Sequence, residues 1–170
     1  MNLHPVLEEK LNTALTPAIV ATLTRRDAVL LNLRNKAHAV KGMRRAGKTS
    51  ILRQLVAERQ STGSPERAFY ISFDDDQLAD IKADQLSAML EAYYRRFPDL
   101  RWHQTVSWFL DEIQLVPGWE RFVRRVLDNE RVELVVKGLA QRSVVSSQSN
   151  AVVQEFHAFG PFLAARLDVL

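Results

Sequence analysis

The chain has no cysteine among its 170 residues, which excludes disulfides and thiolate metal sites. That absence fits a cytoplasmic location, which we therefore expect. The sequence also lacks a stretch of about 18 uninterrupted apolar residues, so no membrane-spanning helix is predicted. A basic segment followed by an apolar run is missing from the N-terminus, and we expect no secretory signal.

Long runs of one charge are absent too. The net charge is only +3, and no basic run is long enough to predict a nucleic-acid patch. Arginines occur in pairs, which we interpret as solvated helix faces, while a nucleic-acid partner, a protein partner and a homo-oligomer stay open. The paired residues are Arg25-Arg26, Arg44-Arg45, Arg95-Arg96 and Arg124-Arg125.

Apolar patterns that alternate between strand and helix run through most of the chain. Strands are predicted at 37–41, 68–73, 105–110 and 132–136, and helices at 48–59, 84–97 and 119–129. Residues 6–33 have a helical pattern that Pro17 interrupts. Residues 151–156 are compatible with either a strand or a helix. The alternation predicts one α/β domain with a parallel sheet covered by helices.

A glycine-rich string between the first predicted strand and helix matches the pattern G-x-x-x-x-G-K-[ST] without departure. Backbone N–H groups of such a loop, together with the helix dipole, form a cradle for phosphate. Lys48 is expected to reach the β- and γ-phosphates as a catalytic clamp, and the Thr49 hydroxyl to bind Mg²⁺. The predicted nucleotide-binding residues are Gly42, Met43, Arg44, Arg45, Ala46, Gly47, Lys48, Thr49 and Ser50.

A second element, VSWFLDEIQ at 106–114, is an apolar strand that ends in two adjacent carboxylates. Ligands of open α/β sheets collect at the carboxyl ends of strands, so Asp111 should converge with Lys48. Asp111 is predicted to hold Mg²⁺ and Glu112 to act as the catalytic base that polarises water. The alternative is an acidic pair that only caps the strand. The acidic run at 74–76 is interpreted as a solvated turn, and the alternative is a place near the same rim that helps with water or Mg²⁺.

Three strings resemble one known family: GMRRAGKTSILRQL, FYISFDDDQL and FLDEIQLVPGWERFVRRVLD. The family consists of prokaryotic AAA+-related P-loop ATPases, in which an N-terminal AAA domain usually precedes a C-terminal domain of unknown function. The resemblance implies a P-loop α/β/α sandwich with a mostly parallel sheet. It places the carboxylate-bearing strand next to the P-loop strand or one strand away. It also implies ATP as ligand, Mg²⁺ at Thr49 and Asp111, and catalysis at Glu112.

The sequence departs from that family after the fourth predicted strand. Family members have a threonine-glycine-serine-serine type segment there, whereas this chain has VKGLA at 136–140. The later glycine-arginine pair is also missing, and only Glu155 and Asp168 of the 20 acidic residues follow residue 137. We therefore expect a sheet that is incomplete at its C-terminal end. The predicted division is a helical segment at 1–35, an ATPase core at 36–137 and a truncated or frame-altered tail at 138–170.

These observations leave several functions open. An Mg²⁺-dependent ATPase is favoured, because the clamp, the metal ligands and the base are all present as candidates. The missing sensor segment supports two alternatives, a nucleotide-gated binding module and a truncated remnant without effective hydrolysis. A small-molecule kinase is a weaker alternative, since no acceptor-binding segment stands out. The process that ATP turnover would drive, whether remodelling or signalling, is not indicated.

Overall fold

The computed structural model of the protein describes residues 2–16, 37–42, 47–137, 153–158 and 166–167. The later part of the predicted N-terminal helical segment, the loop residues 43–46 and most of the predicted tail lie outside these described ranges. Among the described residues, no helix combines the length and the apolar character needed to cross a bilayer.

Helices and strands follow one another much as the sequence predicts. The helices are α1 (Pro5–Ala14), α2 (Lys48–Thr62), α3 (Ala83–Arg96) and α4 (Trp119–Asn129). The strands are β1 (Ala37–Gly42), β2 (Ala68–Ser72), β3 (Val106–Asp111), β4 (Val132–Lys137), β5 (Val153–Ala158) and β6 (Arg166–Leu167). Single-turn 3-10 helices lie at Pro65–Arg67, Asp76–Leu78, Pro98–Leu100 and Ile113–Leu115. Every predicted element at 37–136 is confirmed with small differences at its ends.

Local chemistry explains where these elements stop. Helix α2 continues past the predicted end at residue 59 to Thr62 and stops at Gly63, whose backbone is extended. Helix α3 ends just before Pro98, whose ring cannot continue a helix. Gly118 precedes α4 with φ 83°, a left-handed conformation that glycine adopts without steric cost. The ambiguous segment near 151–156 contributes strand β5.

The described strands form one sheet in the order β2-β3-β4-β1-β5-β6. All neighbouring pairs are parallel except β5 with β6, which confirms the mostly parallel sheet. Strand β4 lies between β1, which leads into the glycine-rich loop, and β3, which carries the acidic pair. Of the two arrangements that the family resemblance allowed, the structure has the one with an intervening strand.

Helices cover both faces of the sheet and confirm the three-layer sandwich. Helix α2 packs on one face against a small apolar cluster that includes Val40, Phe109 and Val135. The other face carries the larger core, to which α1, α3 and α4 contribute. At its centre lies Trp108, which is fully buried, with its ring 4.8 Å from that of Phe69. Alternate residues of strands β1 to β4 thus face opposite layers.

Candidate nucleotide-binding site

The carboxyl ends of three adjacent strands and the start of one helix meet at one edge of the sheet. Strand β1 ends at Gly42, β3 at Asp111 and β4 at Lys137. The parallel register pairs Asp111 with Lys137 directly across the two neighbouring strands. Helix α2 begins at this edge, because Thr49 in its first turn lies within hydrogen-bonding range of the β3 terminus. The two predicted elements, which are 62 residues apart at this contact, therefore come together.

Gly47 forms the entrance to α2. Its backbone is left-handed, with φ 78° and ψ 23°, so a residue with a side chain would be strained there. Glycine offers no side chain to cap the first N–H groups of the helix, an arrangement that suits an anionic ligand. Lys48, Thr49 and Ser50 form the first turn and are half-buried. The remaining predicted cradle residues lie outside the described ranges: Met43, Arg44, Arg45 and Ala46.

Asp111 is the most buried charged group at this edge, with 2% of its surface exposed. Its Oδ2 lies 3.4 Å from the Thr49 hydroxyl. The Tyr70 hydroxyl, from the neighbouring strand β2, donates a hydrogen bond of 2.6 Å to the same oxygen. Burial and then this hydrogen bond raise the pKa of Tyr70, so its hydroxyl stays protonated and fixes the carboxylate. Tyr70 was not predicted as a site residue, although its position near the end of β2 could have indicated it.

A lysine ammonium lies in the middle of these oxygens. The Lys137 Nζ is 2.6 Å from Oδ1 of Asp111 and 3.4 Å from Oε1 of Glu112. It donates hydrogen bonds to Asp111 Oδ2 at 2.8 Å and to the Thr49 hydroxyl at 2.9 Å. We call these four residues the Lys137 cluster. From the sequence, Lys137 stood out only as part of a departure from a family pattern, and no contact of its side chain was predicted.

Glu112 leaves the strand in an unusual conformation. Its φ of 55° and ψ of 31° are left-handed, which costs a non-glycine residue on the order of 1 kcal/mol. Its backbone N–H donates a hydrogen bond of 2.8 Å to the Lys137 carbonyl on β4, and the 3-10 helix Ile113–Leu115 follows directly. The Gln114 amide donates to Oε2 of Glu112 and orients the carboxylate. With 29% of its side chain exposed, Glu112 remains within reach of water.

The electrostatics of Lys48 connect it to the same edge. Burial lowers its pKa most, and the positive charge of Lys137 lowers it further. The carboxylates of Glu112 and Asp111 act in the opposite direction. The charges of Lys137 and of the two acidic residues therefore all act on Lys48.

The acidic run at 74–76 is engaged elsewhere. Asp75 forms an ion pair of 2.8 Å with Lys10 of α1. Its carboxylate also accepts a hydrogen bond from the Gln77 backbone, and both contacts lower its pKa. Asp74 and Asp76 are exposed. These contacts match the interpretation of the run as a turn.

The donor chemistry at the sheet edge fits a magnesium ion. Hydroxyl and carboxylate oxygens are the ligands that Mg²⁺ prefers, usually few in number and completed by water and substrate phosphate. The described residues contain no cluster of three or more histidine, aspartate or glutamate side chains able to enclose a metal. Thr49 and Asp111 would thus hold the ion as a partial shell. The oxygens already gather around one cation, the Lys137 ammonium.

Comparison with protein families decides the assignment. A family model described as an AAA domain matches residues 34–159, well over half of the chain. The chain belongs to this family of AAA-type P-loop ATPases. The AAA domain is a nucleotide-binding, ATPase-like module, and the P-loop fold expected from the sequence is confirmed.

Two archaeal relatives of the AAA domain come from Methanocaldococcus jannaschii. The chain is 32% identical to uncharacterized protein MJ1544 over 124 residues, which are 73% of this chain and 26% of that protein. It is 30% identical to uncharacterized protein MJ1637 over 97 residues, or 57% of this chain and 20% of that protein. The chain thus spans about a quarter or less of these relatives' length.

A solved structure, that of C. elegans PCH-2, is similar with a TM-score of 0.41. The two chains are 13% identical, and the match covers 71% of this chain and 36% of that one. The family assignment does not rest on this distant likeness.

Proposed function

We propose that the AAA domain binds ATP at the sheet edge, with the phosphates in the loop 42–49 and at the first turn of α2. The observation that carries this proposal is the contact between Thr49 and Asp111. That contact joins the end of the glycine-rich loop to the only strand-terminal acidic pair among the described residues. A hydroxyl at a helix start and a carboxylate at a strand end are the ligands that a phosphate-bound metal uses.

Each residue of the site has a distinct role in this proposal. Lys48 binds the β- and γ-phosphates and offsets their charge. Thr49 and Asp111 would hold Mg²⁺ when the ion is present, and it would then neutralise charge on the transferred phosphoryl group. Glu112 accepts a proton from the attacking water, and Gln114 keeps its carboxylate in place. All of these residues lie within 36–137, the range that we propose as the ATPase core of a cytoplasmic protein.

A second candidate function, nucleotide binding without effective hydrolysis, has its own support. The Lys137 ammonium contacts both carboxylates that hydrolysis would use, Asp111 at 2.6 Å and Glu112 at 3.4 Å. An ammonium that occupies these oxygens competes with the metal ion and the attacking water that hydrolysis needs. The domain could then serve as a switch that responds to nucleotide occupancy.

A binding titration beside a phosphate-release assay separates these candidates. We expect wild-type protein to bind ATP with saturation, and Lys48→Ala to bind it far more weakly. Glu112→Gln should keep the affinity and lose turnover if the domain is an ATPase. Negligible phosphate release by the wild type, with saturable binding, would instead establish the binding module.

Two results would reject parts of the proposal outright. Undiminished ATP affinity in Lys48→Ala would reject the site. Release at the wild-type rate by Glu112→Gln would reject the role of Glu112 as the base. Gln77→Ala serves as a matched control, since this exposed side chain lies in the acidic turn engaged with α1.

A further inference from the structure

We propose that Lys137 is a built-in counter-cation at the metal position, so that this AAA domain binds ATP without requiring magnesium. The inference rests on the proposed ATP site and adds to it a property of that site, its metal dependence. The Lys137 ammonium touches the Thr49 hydroxyl and both carboxylates, the same oxygens that would hold the ion.

The geometry gives Lys137 little freedom to serve another group. Its side chain extends from the last residue of β4, directly across from Asp111 in the parallel register. Only 12% of the side chain is exposed. Oxygens of three residues lie between 2.6 and 3.4 Å from Nζ. They belong to Thr49 on α2, to Asp111 at the end of β3 and to Glu112 directly after β3. Of the three N–H donors of the ammonium, two form hydrogen bonds here, to the Thr49 hydroxyl and to Asp111 Oδ2.

Charge balance explains why such a cation would matter for ATP. Asp111 and Glu112 place two negative charges beside a polyphosphate that is itself strongly anionic. Without a cation between them, repulsion would weaken binding, and this is one reason why phosphate sites recruit Mg²⁺. The positive charges of Lys137 and Lys48 offset these two negative charges, so the formal charge of the four side chains sums to zero before any metal ion binds. The polyphosphate then meets a surface that no longer repels it.

Magnesium and Lys137 are therefore competitors for one set of oxygens. Entry of the ion requires the ammonium to move away, because two cations at that distance repel one another. The expected consequence is a flat response of ATP affinity to magnesium in the wild type. Removal of the lysine charge should make the affinity depend on magnesium.

The test is a titration of a non-hydrolysable ATP analogue in EDTA and in excess magnesium, for wild type and Lys137→Met. Methionine keeps most of the side-chain volume and removes the charge. We expect the wild-type dissociation constants in the two conditions to agree within about threefold. Lys137→Met should bind at least about tenfold more weakly in EDTA than in magnesium, which is a difference of about 1.4 kcal/mol.

Lys10→Met is the matched control, because it removes the charge from another lysine–aspartate pair, on α1. It should keep the flat wild-type response. Lys137→Gln is a second variant in case methionine prevents folding, which a cooperative unfolding curve would reveal. A wild type whose affinity rises tenfold or more with magnesium would overturn the inference, whatever the variants do. Absence of binding by wild type in both conditions would instead reject the ATP site itself.

Discussion

The two ends of strand β4 carry opposite charges on the same face of the sheet, and they are built differently. At the amino end, Glu133 accepts two hydrogen bonds from Arg59 of α2, at 3.0 and 3.1 Å, and one of 2.7 Å from Ser107. One arginine pairs with one carboxylate, and both oxygens of Glu133 accept hydrogen bonds. At the carboxyl end, one ammonium serves two carboxylates and a hydroxyl.

This contrast separates a structural ion pair from a ligand site. The Arg59–Glu133 pair has complete geometry and joins the last turns of α2 to the sheet. In the Lys137 cluster, Asp111 Oδ1 lies beside the ammonium yet accepts no hydrogen bond of good geometry from the described residues. That oxygen can still accept a hydrogen bond or bind a metal ion. Polar atoms of this kind, at the edge of the sheet where strands end, are typical of binding sites in α/β sheets.

The largest expected effect comes from removing the lysine of the glycine-rich loop. Lys48→Ala should weaken ATP binding by about a hundredfold, or about 2.8 kcal/mol, because a charge-assisted contact to phosphate is lost. The free energy of unfolding should change by less than about 0.5 kcal/mol, since the substitution truncates a partly exposed side chain outside the apolar core. Calorimetric titration and urea denaturation measure the two quantities. If Lys48→Ala bound ATP with the wild-type affinity, the carboxyl end of β4 would no longer differ from the amino end as a ligand site.

The reverse pattern is expected at the amino end. Arg59→Met should lower the free energy of unfolding by about 2 kcal/mol, because Glu133 keeps its burial and loses its charged donor. The affinity for ATP should stay within about twofold of the wild-type value, a difference below about 0.4 kcal/mol. Denaturation and titration on the same preparation test both halves. Equal losses of stability and affinity would mean that the two ends are not independent.

A smaller effect is expected from the hydroxyl that fixes Asp111. Tyr70→Phe should cost about 1 kcal/mol of unfolding free energy, because it deletes a hydrogen bond of 2.6 Å to a buried carboxylate. The ring would keep its place under the Arg53 guanidinium, whose carbon is 5.6 Å from the ring centroid. Urea denaturation tests this, and a gain in stability would show that the hydroxyl is strained rather than supportive.

The smallest effect is a dependence of stability on pH. Burial raises the pKa of Glu133, but the hydrogen bonds from Arg59 and Ser107 outweigh it and leave the pKa below the ordinary value of 4.5. A depressed folded-state pKa gives stability that is present above the unfolded pKa and is lost as the pH falls through the folded one. Arg59 is partly exposed, so solvent screening limits the contribution to under about 1 kcal/mol.

Denaturation curves from pH 6 downward check this last expectation. The wild type should lose more stability below about pH 4.5 than Glu133→Gln does, because the variant has no proton to take up. Identical slopes for the two proteins would mean that the pair contributes nothing to the pH dependence.

Much of the fold could be predicted from the periodicity of apolar residues and from the glycine and proline residues that separate helices and strands. Trp119, Phe122, Val123, Val126 and Leu127 form one helix face, and the predicted bounds of α4 agree with the structure. The glycine-rich loop and the acidic strand end were recognised because their chemistry depends on local spacing. Their approach followed from the rule that parallel strands end at one edge.

What the sequence left open depends on contacts between distant segments. Nothing local to β1 or β3 says that β4 lies between them, so the strand order had two solutions. The partners Arg59 and Glu133 are 74 residues apart and become neighbours only through that order. The contact of Lys137 with Asp111 depends on the register of β3 with β4. The sequence did offer one signal for this contact: Lys137 is the last residue of an otherwise mostly apolar strand, as Asp111 is of β3.

The most direct test of the account is hydrogen exchange of the backbone amides, with and without ATP. If the phosphates are held at the start of α2, ATP should slow exchange in the first turn of the helix and at the end of β3. Exchange near Arg59, at the far end of α2, should be unchanged. Protection confined to the α3–α4 surface, or equal along all of α2, would contradict the proposed site.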